Sequence, residues 1–78
     1  MKADYIREAL HAPPFRPFTL HIAEGKSVHV PHPDFIAVSE RVAVVISPPG
    51  KKPSIVTIAV PMITQLEVEG APANGDEE

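Results

Sequence analysis

The strongest constraint on this chain is a β-hairpin pattern around one glycine. Apolar and polar side chains alternate in residues 18–22, before Gly25, and again in residues 27–30, after it. Such alternation is typical of two antiparallel strands that each have one apolar face. Pro17 and Pro31 limit where these strands can begin and end, because proline cannot donate a ladder hydrogen bond. The rest of the chain must therefore pack on the apolar face of this hairpin.

The length of the hairpin loop decides which face each side chain occupies. A two-residue loop would place Leu20 opposite His29 and put an imidazole in the apolar face. A three-residue loop, residues 23–25, places Leu20 opposite Val28 and Gly25 at a left-handed position, which glycine tolerates best. We predict the three-residue loop. Its opposed pairs are Phe18 with Val30, Thr19 with His29, Leu20 with Val28, and His21 with Ser27.

A short helix is predicted ahead of the hairpin, over residues 4–12. Ile6 and Leu10 fall on one helical face, and Asp4 is a candidate N-cap. Two consecutive prolines follow and end the helix, because a residue before proline avoids the helical region. So short a helix is unstable alone in water, so Ile6 and Leu10 are expected to pack on the sheet.

Further strands are predicted after the hairpin, at residues 35–39, 41–47, 54–60 and 63–68. Asp34 is a candidate cap for one helical turn before them, and Pro61 separates the last two. The runs 42–46 and 55–60 are apolar on both faces. Either the helix or another subunit must therefore cover their second face.

These elements predict one domain, residues 1–69, of the mainly β or α+β class. The N-terminal helix precedes about five antiparallel strands in a small, barrel-like curled sheet of the SH3 or Sm-like kind. Residues 70–78 are expected to be a disordered acidic tail. The predicted core residues are Leu20, Ile22, Val28, Val30, Val44, Ile58 and Leu66.

Composition argues against several classes of partner. The net charge is −3, yet residues 1–69 hold seven acidic and seven basic side chains, so the domain lacks the basic excess of nucleic-acid binders. No apolar run approaches the roughly 20 residues that span a bilayer. The chain has no cysteine, which fits a reducing compartment. We predict a cytoplasmic protein that binds neither membranes nor nucleic acid.

The histidines are the sharpest candidates for chemistry. In the predicted register His21 and His29 are diagonal neighbours on the polar face of the hairpin, and His32 and Asp34 follow the second strand. Imidazoles with a carboxylate suit zinc or a similar ion. The alternative interpretation is a solvated face followed by a polar turn. Because no metal motif supports the first interpretation, no cofactor is predicted.

Catalytic motifs are missing from the sequence. No serine lies in a glycine-flanked elbow and no cysteine can serve as a nucleophile, so we predict that the chain is not an enzyme. Two features are candidates for an interaction surface: a Phe-Arg-Pro-Phe segment, which we assign rather to the core, and a lysine loop, which we interpret rather as solvated. The predicted surface residues are Phe15, Arg16, His21, His29, Lys51 and Lys52.

Three segments resemble one family of small uncharacterised bacterial proteins: PFRPFTLH at 14–21, GK at 25–26 and VPHPD at 30–34. The family pattern reads PFxPFxxH, then [DE]G[RK], then VxHP[DE]. The lysine-proline loop at 48–53 departs from the shorter turn of that family. The resemblance implies a bacterial origin and a shared fold, and it implies no reaction.

The sequence therefore predicts a non-enzymatic binding or interaction module whose partner is an unknown protein or a second copy of itself. One alternative is a metal-binding protein or metal-dependent enzyme that uses the hairpin histidines. Another is an Sm-like RNA-binding protein that uses Lys51 and Lys52.

Overall fold

The computed structural model describes residues 1–70 and shows a mainly β chain with one short helix. Helix α1 spans Ala3–Leu10. The strands are β1 Phe18–Ile22, β2 Lys26–Val30, β3 Ile36–Val38, β4 Val42–Ile46, β5 Ile55–Ala59 and β6 Ile63–Val68. The predicted class, mainly β with an N-terminal helix, is confirmed. The predicted acidic tail lies outside the described residues from position 71 onward.

The strands form two antiparallel sheets of three strands each, in the orders β2-β1-β6 and β3-β4-β5. Within residues 1–70 these hydrogen bonds do not close a barrel. The six strands lie at the six predicted places, against the stated total of about five. Single turns of 3-10 helix at Pro33–Phe35 and Val60–Met62 carry the chain from one sheet to the other. Each turn contains a proline, which interrupts strand pairing because it lacks an N–H group.

The hairpin has the predicted register. Leu20 pairs with Val28 and Phe18 pairs with Val30, across a three-residue turn at Ala23–Gly25. Gly25 has a φ of 83°, as the loop requires, and Glu24 has a φ of 75°. The turn therefore holds two successive residues with positive φ, Glu24 and Gly25. A positive φ is unusual at Glu24, because residues with a side chain rarely adopt it. The predicted loop is confirmed.

Helix α1 begins one residue earlier and ends two residues earlier than predicted. Lys2 takes the N-cap position, where no side chain caps the helix. The N-cap prediction for Asp4 is therefore wrong: this carboxylate lies inside the first turn and accepts a hydrogen bond of 3.1 Å from Arg7 Nη1. A carboxylate there stabilises the positive end of the helix dipole. Within residues 1–70, no helix combines the length and apolar character needed to cross a membrane.

One apolar core joins the helix to both sheets. Its largest fully buried side chains are Phe18, Ile6, Leu20, Ile63, Val30 and Val60. Of the predicted core residues, Leu20, Val30 and Ile58 are buried, while Ile22, Val28 and Leu66 are half-buried and pack against the core. Because Phe18 and Leu20 come from one sheet and Ile58 from the other, the two sheets share this core.

The core prediction for Val44 is wrong. Strand β4 buries Ala43 and Val45, so Val44 lies on the opposite face, half-buried. Alternation along β4 cannot settle this point, because its residues are apolar on both faces. The pairing of Val45 with Ile36, which is itself buried, sets which face turns inward.

Candidate interaction surface

The two hairpin histidines lie on the polar face of β1 and β2, opposite the predicted partners Ser27 and Thr19. His21 Nε2 lies 2.9 Å from a carboxylate oxygen of Glu67 on β6. His29 Nδ1 lies 3.2 Å from the hydroxyl of Thr19 on β1. Each imidazole therefore bonds to a different neighbour, and both are at least partly exposed. Exposed pairs of this kind contribute about 0–1 kcal/mol to stability.

His32 and Asp34 form a polar turn in which a side chain bonds to the backbone, as the second interpretation of these residues predicts. His32 Nδ1 accepts a hydrogen bond of 3.2 Å from the backbone N–H of Asp34 and caps the single 3-10 turn. Asp34 is therefore not the cap of that turn, because His32, two residues earlier, occupies the cap position. The His32 ring lies between Phe15 and Phe35, with centroid distances of 6.4 and 5.6 Å.

The candidate metal ligands do not converge in the part of the chain that the structure describes. Among residues 1–70, no three His, Asp or Glu side chains are grouped so that they could hold a metal ion. His21, His29 and the His32–Asp34 turn each make their own local contacts instead. This arrangement supports a solvated polar face.

The other predicted surface residues do not form one patch. Phe15 is half-buried and its ring lies 5.9 Å from that of Phe18, so it belongs to the edge of the core. Arg16 borders a groove beside the end of α1. Lys51 and Lys52 border a different groove, of about 450 Å³, between β2 and β5. The basic side chains are therefore spread over separate surfaces.

Four of the six large apolar side chains that are exposed within residues 1–70 belong to the second sheet. We call the side of β3-β4-β5 that faces away from the core the outer apolar face. Its side chains are Ala37, Val42, Val44, Ile46, Ile55, Thr57 and Ala59. None of them is charged, and the exposed fractions of Ile55, Ile46 and Val42 are 73%, 41% and 39%. Contiguous exposed apolar patches on proteins often serve as sites of association with other molecules.

Helix α1 does not cover the outer apolar face. Its buried side chain Ile6 belongs to the shared core on the other side of the sheet. Its flank borders a groove with Leu66 and Val68 of β6. The sequence offered two ways to cover the second face of β4 and β5, namely the helix or another subunit. Because α1 packs elsewhere, the helix does not cover this face.

The free edge of β5 is the least protected of the four sheet edges in residues 1–70. Proteins blunt such edges with charges, prolines, short strands or covering elements. Strand β2 begins with Lys26, β6 carries Glu67, and β3 has only three residues and contacts α1. Strand β5 has five residues, IVTIA, with no charge and no proline. It is therefore an edge strand that carries neither of these protections in its own sequence.

The sequence pattern alone did not single out these residues. The two-sided apolar character of 42–46 and 55–60 is a visible signal, but it does not say which strand lies at an edge. Comparisons of the chain with protein-family models, curated proteins and solved structures found no match. The interpretation of this surface therefore rests on the residues themselves.

Proposed function

We propose that this chain is a non-enzymatic interaction module that associates with a second copy of itself through the exposed edge strand β5. The observation that carries the proposal is the exposure of Ile55, at 73%, on an edge strand without charge or proline. Burying apolar surface contributes roughly 25 cal/mol per Å². A second copy offers the same apolar strand, so each molecule provides the complement of the other.

Charge and size favour a second copy as the occupant. Residues 1–69 carry equal numbers of acidic and basic side chains, so two copies meet without net repulsion between their folded parts. A domain of about 70 residues is also marginally stable alone, and self-association is one common remedy. A twofold contact uses the same patch on both molecules, which one exposed strand is able to supply.

The proposal extends to the shape and location of the protein. The two sheets share one core, which supports a partly open, barrel-like arrangement of the SH3 or Sm-like kind. The chain lacks cysteine, which supports a reducing, cytoplasmic location.

Replacing Ile55 by lysine is expected to weaken self-association by at least about tenfold, because both copies lose a buried apolar side chain and gain a charge at the contact. Light scattering over a concentration series measures the effect as a shift of the monomer–dimer midpoint. The matched control is Gln65→Lys, which adds the same charge at an exposed position of the other sheet. The control is expected to leave the midpoint unchanged.

Two results would count against the proposal. Equal midpoints for the parent chain and Ile55→Lys would show that β5 is not the contact. An equal loss in Gln65→Lys would show that added charge, and not this strand, governs association. Circular dichroism of both variants checks that each has kept its fold.

A further inference from the structure

We infer that the second copy adds to the sheet as an antiparallel β5–β5 pair centred on Thr57. This inference rests on the proposed self-association and specifies its register. The pair would join two β3-β4-β5 sheets edge to edge across a twofold axis at Thr57. Three features of the described residues carry it: the direction of the backbone groups of β5, the prolines on both sides of it, and its exposed side chains.

The hydrogen bonds between β4 and β5 show which backbone groups face the free edge. Ser47 N–H donates to the Ser54 carbonyl at 3.0 Å, and Val60 N–H donates to the Arg41 carbonyl at 2.9 Å. In antiparallel sheets, bonded and non-bonded pairs alternate along the strand. Even-numbered residues of β5 therefore bond to β4. The residues whose N–H and C=O groups point to the free edge are Ile55, Thr57 and Ala59.

The flanking prolines select one register for a symmetric pair. Pro53 and Pro61 lie four positions before and four positions after Thr57. With Thr57 opposite itself, Ile55 lies opposite Ala59 of the second copy, and every outward backbone group of these residues gains a partner. A shift of the centre by one residue in either direction places Ala59 opposite Pro53, or Ile55 opposite Pro61. Those registers lose bonds, because proline has no N–H to donate.

The same register covers the exposed side chains of β5. On the outer side, Ile55 lies beside Ala59 of the second copy. On the inner side, Val56, which is 38% exposed, lies opposite Ile58 of the second copy. Thr57 meets its own counterpart at the axis. The pair therefore buries both of the exposed large apolar residues of this strand.

Edge pairing differs from face packing in what it leaves open. In the edge pair, Val44 lies one strand away from the contact and stays outside it. If the outer apolar faces of two copies packed on each other, Val44 would lie near the middle of the contact. Val44→Lys is therefore expected to remain a dimer. If the two copies packed face to face instead, this substitution would dissociate the dimer.

A single introduced thiol tests the register directly, because the chain has no cysteine. Opposed residues of a bonded antiparallel pair have Cα atoms about 5.5 Å apart, within the range of a disulfide. Under mild oxidation by glutathione disulfide, Thr57→Cys is expected to become mostly covalent dimer, as seen on a non-reducing gel. Ile55→Cys alone is expected to stay non-covalent, because its two copies lie about 13 Å apart along the strand. A mixture of Ile55→Cys and Ala59→Cys is expected to cross-link.

The outcomes separate this inference from the proposed function. A parent chain that is monomeric at all concentrations overturns both. A parent dimer in which Thr57→Cys cross-links no faster than Gln65→Cys, an exposed thiol on the other sheet, overturns the register and leaves self-association standing. If the parent chain is a dimer and Val44→Lys dissociates it, the register is likewise overturned, self-association stands, and the contact is face packing. Cross-linking of Thr57→Cys with an intact Val44→Lys dimer supports the inference, and circular dichroism confirms that each variant is folded.

Discussion

Replacing Phe18 by alanine is expected to lower the free energy of unfolding by about 3–5 kcal/mol, the usual result of removing a buried aromatic side chain. Phe18 is fully buried and is the largest side chain of the core. It lies in the central strand of its sheet, between Val30 and Val68, and its ring contacts that of Phe15. A small domain has roughly 5 kcal/mol in total, so this variant is expected to keep only about 0–2 kcal/mol.

Urea unfolding followed by circular dichroism measures this loss, at one fixed protein concentration because association shifts apparent stability. Tyr5→Ala is the matched control, since it removes an aromatic ring of similar size that is 59% exposed. We expect the control to cost less than about 1 kcal/mol. Equal losses in the two variants would contradict the position of Phe18 at the centre of the core.

Replacing Ile6 by alanine is expected to cost about 2–5 kcal/mol, because its side chain is fully buried between α1 and the sheets. The helix has only eight residues and does not persist without this contact. Loss of the helical signal should therefore accompany the loss of stability. Circular dichroism at 222 nm during urea unfolding would follow both quantities together.

Glu8→Ala is the control on the same helix, because Glu8 is exposed and alanine favours helix formation. It is expected to change stability by less than about 0.5 kcal/mol. If Ile6→Ala unfolded at the same urea concentration as Glu8→Ala, the helix would not be packed on the core. The account of how α1 is used, and of why it leaves β4 and β5 uncovered, would then be wrong.

Local patterns of the sequence predict the hairpin and the helix well. The register of β1 and β2 follows from alternation and from one glycine, since only the three-residue loop keeps His29 out of the apolar face. The helix follows from Ile6 and Leu10 at helical spacing and from the prolines after it. Its N-cap does not follow, because Asp4 suits both the cap and the first turn; the helix begins at Ala3, which is buried.

The order and pairing of the strands cannot be predicted from local sequence patterns. Strand β4 is apolar on both faces, so its inward residues become clear only from the pairing with β3. The position of β5 at an edge depends on strand order, which has no local signal. The sequence shows that Pro61 separates the last two strands. It does not show that β6 joins the other sheet, because that depends on packing around the whole core.

The structure bears differently on each functional hypothesis drawn from the sequence. The histidines and Asp34 are separated into local contacts within residues 1–70, which removes the geometric support for a metal site there. RNA binding through Lys51 and Lys52 and the resemblance to a bacterial family stay predictions. Self-association gains support from the exposed edge of β5, which carries the proposed function.

The central claim is that the exposed edge strand β5 brings two copies together. The most direct test is the solution mass of the unmodified chain, measured by light scattering across a wide concentration range. The account predicts a mass that rises from the 8.4 kDa of one chain towards twice that value as concentration increases. A mass of 8.4 kDa at every concentration would contradict it.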